Sequence, residues 1–178
     1  MEQNVEYWNE RAKIHADSDY YGIVGGVSNN CLRQHEIKEL GNISGMKVLH
    51  LQCHIGTDSI ALAQMGADVT GLDFSGEAIE IANKLSEMAK CSCKFVKGNV
   101  YDSTLLLGKE VFDIVYISYG SLLYLPNLKI WACELKRLLK PGGYVYISEF
   151  HPVAALLSDF EPKFVMGYFD SEAKHWKE

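Results

Sequence analysis

From Lys47 onward, short apolar runs alternate with stretches whose apolar residues recur every three or four positions. Residues 48–51, 67–72, 93–96, 111–117 and 144–148 are the runs, and each reads as a strand. Between them, residues 57–65 read as a helix. Ala78, Ile81, Ala82, Leu85 and Met88 mark the buried face of a second helix, and Leu128, Trp131, Ala132, Leu135, Leu138 and Leu139 that of a third. Lys140-Pro141-Gly142-Gly143 is expected to stop the third, because proline cannot continue a helix and glycine supplies a turn. Upstream, Val5, Trp8, Ala12 and Ala16 share one face of a helix over residues 5–16. A further helix is predicted over residues 32–40, after the turn at Gly25 and Gly26. Strands and helices alternating at this spacing predict an α/β domain with a mainly parallel, doubly wound sheet. In such sheets ligands sit outside the carboxyl ends of the strands, where strand order reverses.

With 178 residues, 48% of them hydrophobic, the chain suits one folded domain, and no repeat or linker divides it. Seventeen basic against 23 acidic side chains leave a net charge of −6, which argues against nucleic acid as a partner, since phosphate contacts need clustered Lys and Arg. No apolar run reaches the roughly 20 residues that span a bilayer, and Met1-Glu2-Gln3-Asn4 lacks a signal-peptide pattern. A cytoplasmic protein away from membranes is expected. The five cysteines (Cys31, Cys53, Cys91, Cys93 and Cys133) form no metal-ligand spacing and read as reduced thiols, so no metal is assigned.

The strand ends carry the chemistry. Gln52-Cys53-His54-Ile55-Gly56 follows the first strand and leads into a helix, so that backbone N–H groups can face a ligand. Asp73 follows the second strand, where a carboxylate can accept both hydroxyls of a ribose; it could equally cap the next helix, for which Ser75 is better suited. Asn99 and Val100, Ser118 and Tyr119, and Glu149 and His151 follow the third, fourth and fifth strands. Together they predict a nucleoside-type cofactor site. A dinucleotide is disfavoured: Gln52 and His54 stand where close approach of a pyrophosphate needs glycine, and Asp58 would repel two phosphates. A ligand with an amino-acid tail and a sulfonium has no such conflict.

The run from Val48, VLHLQCHIGTDSIALAQMGADVTGLDFSGEAIEIA, resembles motifs I and II of class I S-adenosylmethionine-dependent methyltransferases. The stretch from Phe112 to Gly120 resembles the fourth-strand motif of that family, and Leu138-Leu139-Lys140-Pro141-Gly142-Gly143 the turn before its fifth strand. The His-Leu-Gln-Cys-His form of motif I and the opening Tyr7-Trp8-Asn9-Glu10-Arg11-Ala12 are similar to a bacterial subgroup acting on small molecules. The first motif departs from the family pattern, with His50 for its acid and Gln52 and His54 for glycines. The resemblance implies a Rossmann-like sheet of order 3-2-1-4-5 that binds S-adenosylmethionine. By position, Gln52, Cys53, His54 and Gly56 would line its methionine part. Asp73 would hold the ribose hydroxyls, with Phe74 packing near the adenine, and Ser75 would complete the cofactor site. Asn99 and Val100 would meet the adenine, and Ser118 and Tyr119 would floor the pocket.

Methyl transfer from a sulfonium is an in-line displacement in which the protein mainly aligns and desolvates the reactants. His151, and after it Glu149, are the candidate general bases, although both also read as a polar strand exit. Ser118-Tyr119-Gly120-Ser121 lacks the Pro-Pro motif of amino methyltransferases and the magnesium-holding aspartate of catechol methyltransferases. A small organic acceptor is therefore expected; the alternative is a non-catalytic cofactor-binding or scaffold domain. Residues 1–45 read as a helical lid bearing Tyr7, Trp8, Tyr20 and Tyr21, residues 46–152 as the cofactor-binding core, and residues 153–178 as a short tail. That tail is shorter than the family's last helix and strands 6 and 7 require, although residues 164–169 could form one strand. The expectation is a truncated sheet whose open edge could pair with a second copy.

Overall fold

In the computed structural model, which describes residues 2–17, 31–151 and 153, all five predicted strands form. They are β1 (Lys47–Leu51), β2 (Asp68–Asp73), β3 (Lys94–Lys97), β4 (Phe112–Ile117) and β5 (Leu139–Ile147). They pair in the order β3-β2-β1-β4-β5, and every pairing is parallel. The helices are α1 (Glu2–Asp17), α2 (Gln34–Leu40), α3 (Thr57–Gln64), α4 (Gly76–Met88), α5 (Ser103–Leu107) and α6 (Leu128–Leu138). The order reverses between β1 and β4, which puts the ligand crevice at their carboxyl ends.

Two-residue alternation splits the sheet's side chains between two cores. Val48 of β1 and Ile114 and Tyr116 of β4 face one way, against Leu40, Ala61 and Leu62 from α2 and α3. Leu49, Leu51, Val115 and Ile117 face the other way, against Trp131, Leu135 and Leu138 of α6. Helix α1 presents the face its spacing predicts: Ala12 is fully buried and joins Ile55, Ile60, Ala78 and Leu85 in a third cluster.

Three differences from the sequence expectation have physical causes. β5 begins at Leu139 and not at Tyr144, because the Pro-Gly-Gly segment ends α6 without leaving the sheet. The register steps from Phe112↔Leu139 to Ile114↔Tyr144, so that residues 140–143 stand opposite Asp113 alone. Lys140 anchors this bulge with both Asp113 carboxylate oxygens at 2.8 and 2.9 Å. Gly143 is required there, since a Cβ would lie 2.9 Å from the Asp113 carbonyl oxygen. α2 starts at Gln34, two residues later than expected, where Glu36 accepts the Arg33 N–H at 2.7 Å. The short α5 carries too few apolar positions to show a period. Tyr20, Tyr21, the Gly25-Gly26 turn and residues 164–169 lie outside the described residues. Among the described residues, β5 pairs with β4 alone, and Tyr144 and Ile147 are exposed.

Candidate functional site

The loop from β1 to α3 turns through three left-handed residues at alternate positions: Gln52 (φ 55°), His54 (φ 48°) and Gly56 (φ 76°). For a residue with a Cβ this conformation costs about 1–2 kcal/mol, so glutamine and histidine must be held there. Neighbouring groups supply the restraint. The Gln52 amide Nε2 donates to the Ser121 carbonyl at 2.9 Å, Cys53 N donates to Leu72 O at 3.0 Å, and His54 N donates to Asp73 Oδ2 at 2.9 Å. Gly56 has no substitute: a Cβ would lie 2.7 Å from the Phe95 ring and 2.9 Å from Ala82.

Asp73 ends β2 nearly buried, and its other oxygen accepts the Ser75 N–H at 2.9 Å. Burial pushes its carboxyl pKa up, while the Ser75, His54 and Phe74 N–H groups pull it back. A carboxylate has about four acceptor positions, so a pair of ligand hydroxyls can still be received. Beside it opens a cavity of about 600 Å³, a size typical of cofactor sites. Gln52, Asp73, Phe74, Asn99 and Val100, all named from the sequence, are among its lining residues. So are Leu72, Gly98 and Tyr101, Asn4 and Val5 from α1, and Leu123 to Pro126 after β4, none of which the sequence reading assigned to the cofactor site. The apolar run Leu122-Leu123-Tyr124-Leu125 just past the fourth strand was the available signal; in the structure Leu123 is exposed.

The other predicted residues lie around this cavity and not on its wall. Cys53 is buried beneath the loop. The His54 ring turns to α1, with Nε2 2.9 Å from His15 Nδ1 and its face near Trp8; burial, then the His15 ring, lower its pKa to about 4. Ser75 caps α4, accepting the Ala78 N–H at 3.1 Å, and donates to Asn9 Oδ1 at 2.7 Å, which ties α1 to the site. Ser118 meets His50 Nε2 at 3.2 Å, and His50 Nδ1 meets Ser59 at 2.8 Å. Burial lowers the His50 pKa to about 3, so the ring is neutral. Tyr119 accepts from the Ser148 hydroxyl at 2.7 Å and lies under the Arg33 guanidinium. Glu149 accepts the N–H groups of Gly120, Leu122 and Phe150, fastening the turn after β4. His151 is exposed, and its Nδ1 accepts the Val153 N–H at 3.2 Å.

The arrangement suits S-adenosylmethionine. Gln52, which lines the cavity, has its Oε1 buried without a hydrogen-bond partner, and a donor there would relieve a cost of about 1–3 kcal/mol. Asp73 offers ribose acceptors, and Leu72, Phe74 and Val100 give an apolar bed for a base.

Comparison with known proteins agrees with this geometry. Residues 42–177 match the profile of the methyltransferase domain family. The demethylmenaquinone methyltransferase of Lactococcus lactis is 36% identical over 143 residues, covering 76% of this chain and 56% of the relative. The protein of the same name from Staphylococcus aureus (strain MRSA252) is 33% identical over 154 residues, covering 83% and 62%. The chain thus spans about three fifths of the length of these curated relatives. Two crystal structures share the fold. An S-adenosylmethionine-dependent methyltransferase from Aquifex aeolicus superposes with a TM-score of 0.65 at 19% identity, covering 81% of this chain and 73% of its own. A protein from Methanococcus maripaludis described in similar terms does so at 0.65 and 23% identity, covering 79% and 63%. With that match over most of its length, a Rossmann sheet of order 3-2-1-4-5 and a cavity at the crevice, the chain belongs to the class I S-adenosylmethionine-dependent methyltransferase family.

Proposed function

We propose that this protein transfers the methyl group of S-adenosylmethionine to a small organic acceptor. The observation that carries the reading is the cavity of about 600 Å³ at the carboxyl ends of β1, β2 and β3, with Asp73, Asn99 and the unpartnered Gln52 oxygen on one wall. Gln52 would face the methionine part, Asp73 the ribose hydroxyls, and Phe74, Asn99 and Val100 the adenine. The cofactor supplies an electrophilic methyl on a sulfonium that departs as a neutral sulfide. The chain's part is alignment and exclusion of water, with α1 covering the cavity through Asn4 and Val5.

Glu149 is committed to three N–H groups, so its role in this reading is to hold the turn after β4. His151 is the exposed group to test for proton transfer. The curated relatives are named for methylating demethylmenaquinone, which makes a reduced quinone the first acceptor to assay. Calorimetric titration with S-adenosylmethionine and S-adenosylhomocysteine tests the cofactor. Micromolar binding is expected, and a folded protein that binds neither at millimolar concentration overturns the reading. Labelled methyl transfer to reduced naphthoquinones, with and without His151→Ala, then tests acceptor and base.

A further inference from the structure

Arg33, the residue before α2, carries a positive charge that the fold leaves unpaired. Its guanidinium lies 4.0 Å over the Tyr119 ring, and among the described residues its side chain makes no hydrogen bond or ion pair. Only its backbone N–H is engaged, by Glu36 at 2.7 Å. The carboxylates of this corner of the sheet are committed to other donors. Glu36, fully buried, also takes the Tyr116 hydroxyl at 2.7 Å. Asp58 takes the hydroxyls of Ser118 and Thr57, and the Arg33 charge is the weakest influence on it. Glu149 takes the N–H groups of Gly120, Leu122 and Phe150.

Tyr119 is itself fixed in place. Its hydroxyl oxygen accepts the Ser148 hydroxyl at 2.7 Å, and the Phe150 ring stands 5.2 Å from its own, tilted by 46°. Phe150 is 47% exposed, so an apolar surface is open beside the Arg33–Tyr119 stack. A guanidinium lying on a ring is held by its face and keeps its N–H groups at the edge, where their fork matches the two oxygens of a carboxylate. Position decides which ligand brings that carboxylate. Tyr119 and Ser148 follow β4 and β5, and neither they nor Arg33 and Phe150 line the cavity assigned to the cofactor. The two places adjoin, since the Gln52 amide, from the cavity wall, donates to the Ser121 carbonyl two residues beyond Tyr119. The stack thus stands across the β1/β4 crevice from the nucleoside, on the side left to the second reactant.

We propose that Arg33, stacked on Tyr119, is the carboxylate-binding subsite of the methyl acceptor, and that this acceptor is an aromatic acid whose ring packs against Phe150. The assignment rests on the S-adenosylmethionine reading above. It narrows the acceptor from any small organic molecule to an anion.

The test is calorimetry on the whole chain saturated with S-adenosylhomocysteine. The probes are 1-hydroxy-2-naphthoate and 1-naphthol, which share ring and hydroxyl and differ in the carboxylate. Wild type should bind the naphthoate at least about tenfold more tightly, the ratio a charge-assisted pair supplies. Arg33→Gln should remove that preference and keep wild-type affinity for 1-naphthol and for S-adenosylhomocysteine, which also shows that the variant is folded. Arg33→Lys keeps the charge without the fork and should restore only part of the preference. Equal or absent binding of the two probes by wild type overturns the subsite alone, as does a preference that survives Arg33→Gln. A loss of S-adenosylhomocysteine affinity in Arg33→Gln, with 5′-methylthioadenosine (which lacks the amino-acid tail) bound as before, gives the guanidinium to the cofactor's own carboxylate and overturns the acceptor assignment. If Arg33→Gln does not fold, Tyr119→Leu removes the ring beneath the guanidinium and should weaken the preference; an unchanged preference there overturns the subsite. Failure of wild type to bind S-adenosylhomocysteine overturns the methyltransferase reading itself.

Discussion

The His54 backbone N–H points at Asp73 Oδ2, 2.9 Å away, so the carboxylate that faces the cavity also holds the left-handed turn of the loop beside it. Loop geometry and the ribose acceptor are thus one unit. A residue with a Cβ can stand at position 54 because the carboxylate at position 73 holds its backbone there.

Asp73→Ala removes both functions. S-adenosylhomocysteine should bind at least about 1 kcal/mol more weakly, and the melting temperature should fall as two buried N–H groups lose their acceptor. Titration calorimetry and a thermal melt check the two effects. Unchanged affinity would move the ribose elsewhere.

Gly56→Ala tests the one motif I glycine that remains. Its left-handed φ and the Phe95 ring 2.7 Å from the new methyl add strain to overpacking, for a loss of about 2–4 kcal/mol. Urea denaturation measures it. A loss under about 1 kcal/mol would mean that the loop relaxes readily.

Acid should destabilise the fold through its buried imidazoles. The folded pKa values of His50 and His54 are lowered to about 3 and about 4, from near 6.5 when unfolded. The unfolded chain therefore binds more protons between about pH 6.5 and 3, and stability falls as pH falls through that window. Asp58 works the other way between about pH 6 and 4, since its raised pKa makes the native state take up a proton there. Asp73, also raised by burial, acts in the same sense as Asp58, and His15, also lowered, in the same sense as His50 and His54, so the histidines lead. Urea midpoints at pH 7 and 5 should show the net loss, and His50→Gln should reduce the slope between them by about 1 kcal/mol per pH unit. An unchanged slope would show that His50 is not the buried neutral base.

Ser75→Ala should cost about 1 kcal/mol through the lost cap of α4, and it also frees Asn9 on α1. Asn9→Ala breaks only the second contact. Both variants should raise the proteolytic susceptibility of residues 2–17, and Ser75→Ala alone should lower the melting temperature by several degrees. Equal melting temperatures would put the cap elsewhere.

The elements legible in the sequence are those whose burial is written in a period. The alternation of Val48, Leu49 and Leu51 between two faces, and the three-and-four spacing of Trp131, Leu135 and Leu138, follow from local geometry. The order of polar strand ends at Gln52, Asp73 and Asn99 then marked the crevice, because parallel strands deliver their carboxyl ends to one side of the sheet. Three things were not legible. The Lys140–Asp113 anchor that keeps residues 140–143 within the sheet joins positions 27 apart. The commitment of Glu149 to three N–H groups depends on how the turn after β4 folds back over β5. The pairing of His54 with His15, 39 residues away, depends on where α1 docks. Sequence by itself determined which residues are buried on which element and which polar groups end each strand, since both follow from neighbours along the chain. The tertiary structure alone decided which of those polar groups face the cavity and which are used up holding the fold, because a carboxylate's free valence depends on donors brought to it from distant parts of the chain.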